Sequence, residues 1–173
     1  MNGLSLYVPK REELWYYRKL LADPATMDYN KGYQLPYTGY DKATGCLEFP
    51  ESEAEGWYNK WVGCQPERYF AYLRREDGRW VGYVNFHRNF DAPWHDMGVL
   101  VEGQYRKQGY GTKALHLLIY QAFEVCRVTA LHNDFESTRA AAYHMHLKAG
   151  FREYRRKNGI VELLLTRAEY MGC

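Results

Sequence analysis

The sequence predicts a mixed α/β fold, a single-domain sheet of order β-α-α-β-β-β-α-β-α-β-β with an antiparallel meander and one parallel β-α-β crossover. Three observations predict it. Between residues 68 and 101, short apolar runs alternate with Gly, Pro, Asn and Asp clusters, the chemistry of hairpins. Gly109 to Val125 places Leu115, Leu118, Ile119, Ala122 and Phe123 at helical spacing between two strand-like segments, which makes a right-handed crossover. The chain's 173 residues are enough for one continuous core.

The elements follow in order. Leu4 to Val8 reads as a strand ended by Pro9. Lys10 to Leu21 reads as a helix with Leu14, Tyr17 and Leu21 on one face, and Asp23-Pro24 stops it. Residues 25 to 50 carry no periodicity, a length that marks a functional segment in a compact domain. Ser52-x-x-Glu55 has the form of a capping box before a helix carrying Trp57 and Trp61. Arg68 to Arg74 and Trp80 to Phe86 form a hairpin around Asp77-Gly78, and Met97 to Val101 adds a third strand. After the Gly109–Val125 helix come a strand from Val128 to Leu131 and a helix from Ser137 to Ala149 ended by Gly150. Phe151 to Arg156 and Ile160 to Thr166 close the chain as a hairpin around Asn158-Gly159.

Composition narrows the function classes. A net charge of +2, from 23 basic and 21 acidic residues, argues against nucleic acid as partner. No run of about 18 apolar residues suits a bilayer, and the opening MNGLSLYVPKREEL lacks the features of a secretion signal. Cys46, Cys64, Cys126 and Cys173 are widely spaced without a C-x-x-C pair, so neither a metal site nor a disulfide framework is expected. These features fit a cytoplasmic protein with no membrane partner, and leave monomer and homodimer both open. The 17 tyrosines are the oddity, and rings with polar handles suit a pocket lining.

The segment Arg106-Lys107-Gln108-Gly109-Tyr110-Gly111-Thr112 joins a strand to the strongest helix. Its glycines admit close backbone approach, and the first N–H groups of a helix attract anions, so the turn suits a pyrophosphate. A dinucleotide fingerprint is one reading, from Gly109-x-Gly111-x-x-Ala114 with Asp134 as the ribose acid. Against it, seven residues separate Val101 from Gly109, and only 39 follow Asp134.

The stretch from Asp96-Met97-Gly98-Val99-Leu100-Val101 through Arg106-Lys107-Gln108-Gly109-Tyr110-Gly111 strongly resembles the signature of the GNAT superfamily, the acyl-coenzyme A-dependent N-acyltransferases. Arg106, Gly109 and Gly111 match its R-x-x-G-x-G turn, and Lys148-Ala149-Gly150-Phe151 matches its K-x-G-F. Two places depart from the pattern. Arg139 stands where an Asn is frequent, and His146 where a Tyr is common, with Tyr143 one turn earlier.

The resemblance implies acetyl-coenzyme A as co-substrate, no metal, and direct attack of an amine on the thioester. Its turn from Arg106 to Thr112 would hold the pyrophosphate, and the backbone of Val99, Leu100 and Val101 would hold the pantetheine and the oxyanion, with Asn133 as a further contact. Asp96, with His95 beside it, occupies the place of the family's strand acid and would take the amine's proton, unless it is a solvated residue opening the strand. His146 or Tyr143 would protonate the leaving thiolate. The acceptor would be a small-molecule or peptide amine. Tyr29, Tyr33, Tyr37 and Tyr40, with Asp28 and Asp41, offer cation-attracting surfaces for it, or merely pin a long loop. A catalytically silent coenzyme A-binding module is the alternative.

Overall fold

The computed structural model describes residues 3–172, so Cys173 lies outside the described residues. Seven strands form one sheet in the order β1-β2-β3-β4-β5-β7-β6. They are β1 (Leu4–Tyr7), β2 (Arg68–Arg75), β3 (Trp80–Arg88), β4 (His95–Val101), β5 (Ala130–Glu136), β6 (Arg152–Lys157) and β7 (Ile160–Thr166). The helices are α1 (Leu14–Ala22), α2 (Pro24–Met27), α3 (Ala54–Trp61), α4 (Tyr110–Tyr120), α5 (Ala140–Lys148) and α6 (Arg167–Met171). All strand pairs are antiparallel except β4 with β5, the predicted crossover around α4.

Both faces of the sheet are buried, and the alternation along β2 explains how. Tyr69, Ala71 and Leu73 point into one core with Leu115, Leu118, Ile119 and Phe123 of the crossover helix and its extension. Phe70 and Tyr72 point into a second core with Tyr16, Leu20 and Leu21 of α1 and Met27 of α2. Much of the tyrosine excess is found here. Tyr17 stacks on Trp57 at 4.7 Å and meets Tyr83 edge-on at 5.4 Å, binding α1, α3 and β3 into one aromatic layer.

Several boundaries differ from expectation. Helix α1 is preceded by a 3₁₀ turn at Arg11–Glu13 rather than starting at Lys10. The Ser52–Glu55 capping box does not form, because residues 51–53 make a 3₁₀ turn that leads into α3 without a side-chain cap. Asp23-Pro24 ends one helix and starts another, with Asp23 accepting a hydrogen bond from Ala25 N and Pro24 in the first turn. The α4 helix ends at Tyr120 and continues as a π turn over Gln121–Val125. Strand β5 runs on to Glu136, since all seven of its residues pair with β7 although its sequence turns polar after Leu131. A sixth helix, α6, was not anticipated. Thr166 and Glu169 form its capping box, a T-x-x-E signal present in the sequence. Among the described residues, no helix is long and apolar enough to cross a membrane.

Leu118 is fully buried between α4 and the sheet. Leu118→Ala should lower unfolding free energy by about 2–5 kcal/mol, read from urea denaturation, because α4 cannot collapse onto the vacated space without moving the sheet.

Candidate functional site

The parallel pair that closes the crossover is short. Strands β4 and β5 register only at His95↔Leu131 and Asp96↔His132. Beyond these pairs β4 stays bound to β3 through Val101, and β5 stays bound to β7 through Glu136, so the two part. A cleft of about 740 Å³ occupies the gap, lined on one side by Met97 to Val101 and on the other by Asn133, Asp134 and Phe135.

Alternation divides the cleft into two chambers. Val99 and Val101 pack with the α4 core, while Leu100 belongs to the aromatic core. The α4 side is closed by Ala142, Met145 and His146, the other by Tyr17, Tyr29, Tyr37, Trp61, Tyr83, Asn85 and Glu48.

After β4 the chain is clamped to α1 and α2. Glu102 is buried, and its carboxylate accepts from Lys19 Nζ at 2.7 Å, Tyr16 Oη at 2.8 Å and Gln104 Nε2 at 2.6 Å. Gly103 N donates to Thr26 Oγ1 at 2.9 Å. The guanidinium of Arg106 donates to Asp28 at 2.6 Å and to the carbonyls of Thr26 and Val101. These bonds position the loop, while the side chain, a third exposed, still lines the cleft, where it was expected to meet an anion. The turn then passes through left-handed backbone at Lys107 (φ 61°) and Gly109 (φ 82°). Gly109 is the α4 N-cap, with nothing within 4 Å of the place a Cβ would take. The first intrahelical bond runs from Lys113 N to Gly109 O, so the N–H groups of Gly111 and Thr112 lie in the anion-attracting first turn. A Cβ at Gly111 would meet Met145 Sδ at 3.3 Å. Gln108 and Lys107 are exposed, and the Tyr110 ring is buried in the core, leaving its backbone to the turn. Among the described residues, no cluster of His, Cys, Asp and Glu is arranged to hold a metal ion.

The predicted catalytic side chains fall in different places. His146 lines the cleft and is buried. Its Nδ1 lies 2.8 Å from the Ala142 carbonyl and must donate, so Nε2 accepts from Asn133 Nδ2 at 3.0 Å. Burial holds its pKa below the ordinary histidine value, so the ring is neutral and orients Asn133. Tyr143 is not among the cleft residues; its hydroxyl donates to Glu153 at 2.9 Å on the surface. Asp96 is not among them either. One oxygen accepts from His132 Nδ1 and the other from Asn89 Nδ2, both at 2.8 Å, and these bonds hold its pKa down against the opposing effect of burial. His95 turns its Nε2 to the Pro66 carbonyl at 3.0 Å, against the other face of the sheet.

The acceptor segment divides likewise. Tyr29 and Tyr37 line the cleft, whereas Tyr33 does not. Tyr40 pins the loop by donating to the carbonyls of Asn30 and Tyr33. Asp28 pairs with Arg106, and Asp41 closes a turn with Ala43 N and Thr44 Oγ1. The acids that do line the cleft are Glu48 and Asp134, which sequence reasoning had not placed there. Arg139, noted as a departure, also lines it, with its guanidinium 5.0 Å from the Tyr29 ring and 5.5 Å from Phe135.

Burial of His146 has a consequence for stability. Its folded pKa lies below the unfolded value near 6.5, so its contribution is intact above that pH and declines as pH falls through it. The urea midpoint should therefore drop between pH 7.5 and 5.5. His146→Gln should flatten that slope, leaving the part due to His87 and His95, which burial also holds low.

The chain's sequence matches the Acetyltransferase (GNAT) family over residues 37–151. Among solved structures it is similar to a spermidine N-acetyltransferase from Vibrio cholerae in complex with CoA and spermine, at 15% identity and a TM-score of 0.73, covering 97% of this chain and 98% of that one. It is likewise similar to a GNAT-family acetyltransferase from Bacillus anthracis, at 14% identity and a TM-score of 0.69, covering 96% and 99% of the two chains. At these identities the likeness is one of fold. No curated protein matches the chain in sequence. The family match spans well over half the chain and includes the parted strands and the glycine turn, so the chain belongs to the GNAT acetyltransferase family.

Proposed function

We propose that this protein transfers the acetyl group of acetyl-coenzyme A to a primary amine by direct attack, as an enzyme rather than as a silent binding module. The observation that carries the reading is the gap between β4 and β5; none of residues 107–112 lines it, but a Cβ at Gly111 in the first turn of α4 would lie 3.3 Å from Met145 and 4.0 Å from Val101, which do. Pantetheine is an extended chain with two amides, and the edge of β4 from Gly98 to Val101 is an unfilled strand position for it. The pyrophosphate then reaches the backbone at Gly109–Thr112, with Lys107 beside it. A backbone N–H among Val99–Val101 is the donor for the oxyanion. Asn133, oriented by His146, serves the pantetheine.

Since neither Tyr143 nor neutral His146 is placed to donate a proton to sulfur, the thiol proton comes from the attacking amine itself, through solvent in the cleft. The acceptor chamber is aromatic, with Glu48 and Asp134 as its carboxylates. Arg106 and Arg139 line the cleft too and offset those two charges, and Arg139 already sits over Tyr29, so the remaining aromatic faces, Tyr37 foremost, carry the attraction for a cation. Cationic amines are the acceptor class, and polyamines, the substrates named for the Vibrio cholerae relative, belong to it. A cytoplasmic supply of acetyl-coenzyme A completes the proposal.

Two measurements test it. Calorimetry with coenzyme A should give a Kd at least ten-fold weaker for Gly111→Val than for wild type, since the added branches crowd Met145 and the turn backbone. Unchanged affinity in a folded variant, or preferential binding of NAD, would remove the assignment. Thiol release from acetyl-coenzyme A should require an added amine, and Tyr29→Ala with Tyr37→Ala should raise the acceptor KM several-fold while leaving coenzyme A affinity intact. Coenzyme A binding without amine-dependent release would favour the silent module.

A further inference from the structure

The expected strand acid, Asp96, is engaged by His132 and Asn89 and does not line the cleft, which leaves the amine's proton without an obvious acceptor. The register of the parted strands identifies another carboxylate. Asp96 pairs with His132, so two residues further along each strand Gly98 and Asp134 stand opposite one another across the gap. Side chains two apart share a face. Asp134 therefore projects on the aromatic side of the sheet, the acceptor side, facing the stretch of β4 where the thioester is proposed to lie. Gly98 presents no side chain there; a Cβ would meet the Asn85 amide at 3.2 Å.

Behind Asp134, on the same face, lies a polar cluster built around one buried histidine. His132 is 6% exposed, stacked on Trp94 at 4.7 Å, with Nδ1 on Asp96 and Nε2 only 3.6 Å from Glu162 without a hydrogen bond. Arg155 pairs with Glu162 from β6, and His87 approaches Asp96 from β3 at 3.9 Å. Asp134 is exposed at the cleft mouth, yet partial desolvation of its carboxyl, with Asp96, Glu162 and Glu136 nearby, raises its pKa above the ordinary aspartate value, and His132 acts in the opposite sense. A carboxylate so placed is a stronger base than a free one.

We infer that Asp134, across the strand gap from Gly98, is the catalytic base that takes the proton of the acceptor ammonium. The inference rests on the acetyl-transfer reading. The ammonium gives one proton to the Asp134 carboxylate, and the freed nitrogen lone pair forms the C–N bond at the thioester carbonyl. The C–S bond then breaks with its electron pair on sulfur. The second amine proton, released from the tetrahedral adduct, ends on that sulfur, and the proton on Asp134 returns to solvent at the exposed mouth of the cleft.

The test follows thiol release from acetyl-coenzyme A with spermidine and with tyramine from pH 6 to 10, alongside carboxyl-carbon NMR of the protein without ligand. Asp134→Asn should lose about 100-fold or more in kcat at pH 7, with the deficit closing toward pH 10, where the amine deprotonates unaided, and with coenzyme A affinity unchanged. Asp134→Glu should recover part of the loss. His132→Asn should displace both the acid limb of the rate profile and the NMR titration of Asp134 upward, a shift that mere loosening of the fold would not produce. Wild-type rates from Asp134→Asn at pH 7 would overturn the inference while leaving acetyl transfer standing. If wild type released no thiol with either amine, acetyl transfer to these acceptors would fail. An Asp134 carboxyl titrating in the ordinary range and unmoved by His132→Asn would then overturn the base assignment on its own.

Discussion

The structure depends on two parallel strands that are tied at one end and held apart at the other. β4 keeps its ladder with β3, and β5 its ladder with β7, while their facing edges pair only at His95↔Leu131 and Asp96↔His132. The natural twist of a sheet makes such parting inexpensive, but it leaves backbone polar groups that need partners. A protein interior would not tolerate that, and a ligand with amides at strand spacing is what we propose to resolve it. The cleft is thus a consequence of pairing, present before any ligand binds.

The loop that leaves β4 is fixed with equal firmness. Glu102 is an anion in the interior, tolerable because Lys19, Tyr16 and Gln104 all donate to it. Lys19 is half exposed, so solvent weakens its share, but the three donors together tie the sheet to α1. Arg106 adds a second tie, to Asp28 and the Thr26 carbonyl. Together they set where the α4 first turn points. The motif arginine holds the backbone of the turn, and its place in the cleft lining leaves it in reach of the anion we propose there.

Much of the fold was legible because hairpin turns and the α4 periodicity are local signals. Asn158-Gly159 and Asp77-Gly78 mark their hairpins, and the spacing of Leu115, Leu118 and Phe123 marks the crossover. The glycine turn was legible for the same reason. The reach of β5 was not, since His132-Asn133-Asp134 is polar and its strand conformation comes from pairing with β7. That misreading hid the face on which Asp134 lies. Side-chain partners were hidden too: Tyr143 resembles a cleft residue by spacing, yet Glu153 on β6 draws it away, and Asp41, read as an acceptor contact, closes a turn. Such outcomes depend on contacts between segments far apart in sequence.

The gap beside β4 is proposed to be a strand position completed by coenzyme A. Amide hydrogen exchange with and without coenzyme A tests it most directly. New protection is expected at Gly98–Val101 of β4 and at Gly111–Thr112 of α4, with little change in β2 or β7. Protection spread evenly over the sheet, or confined to surface segments such as β6, would contradict it.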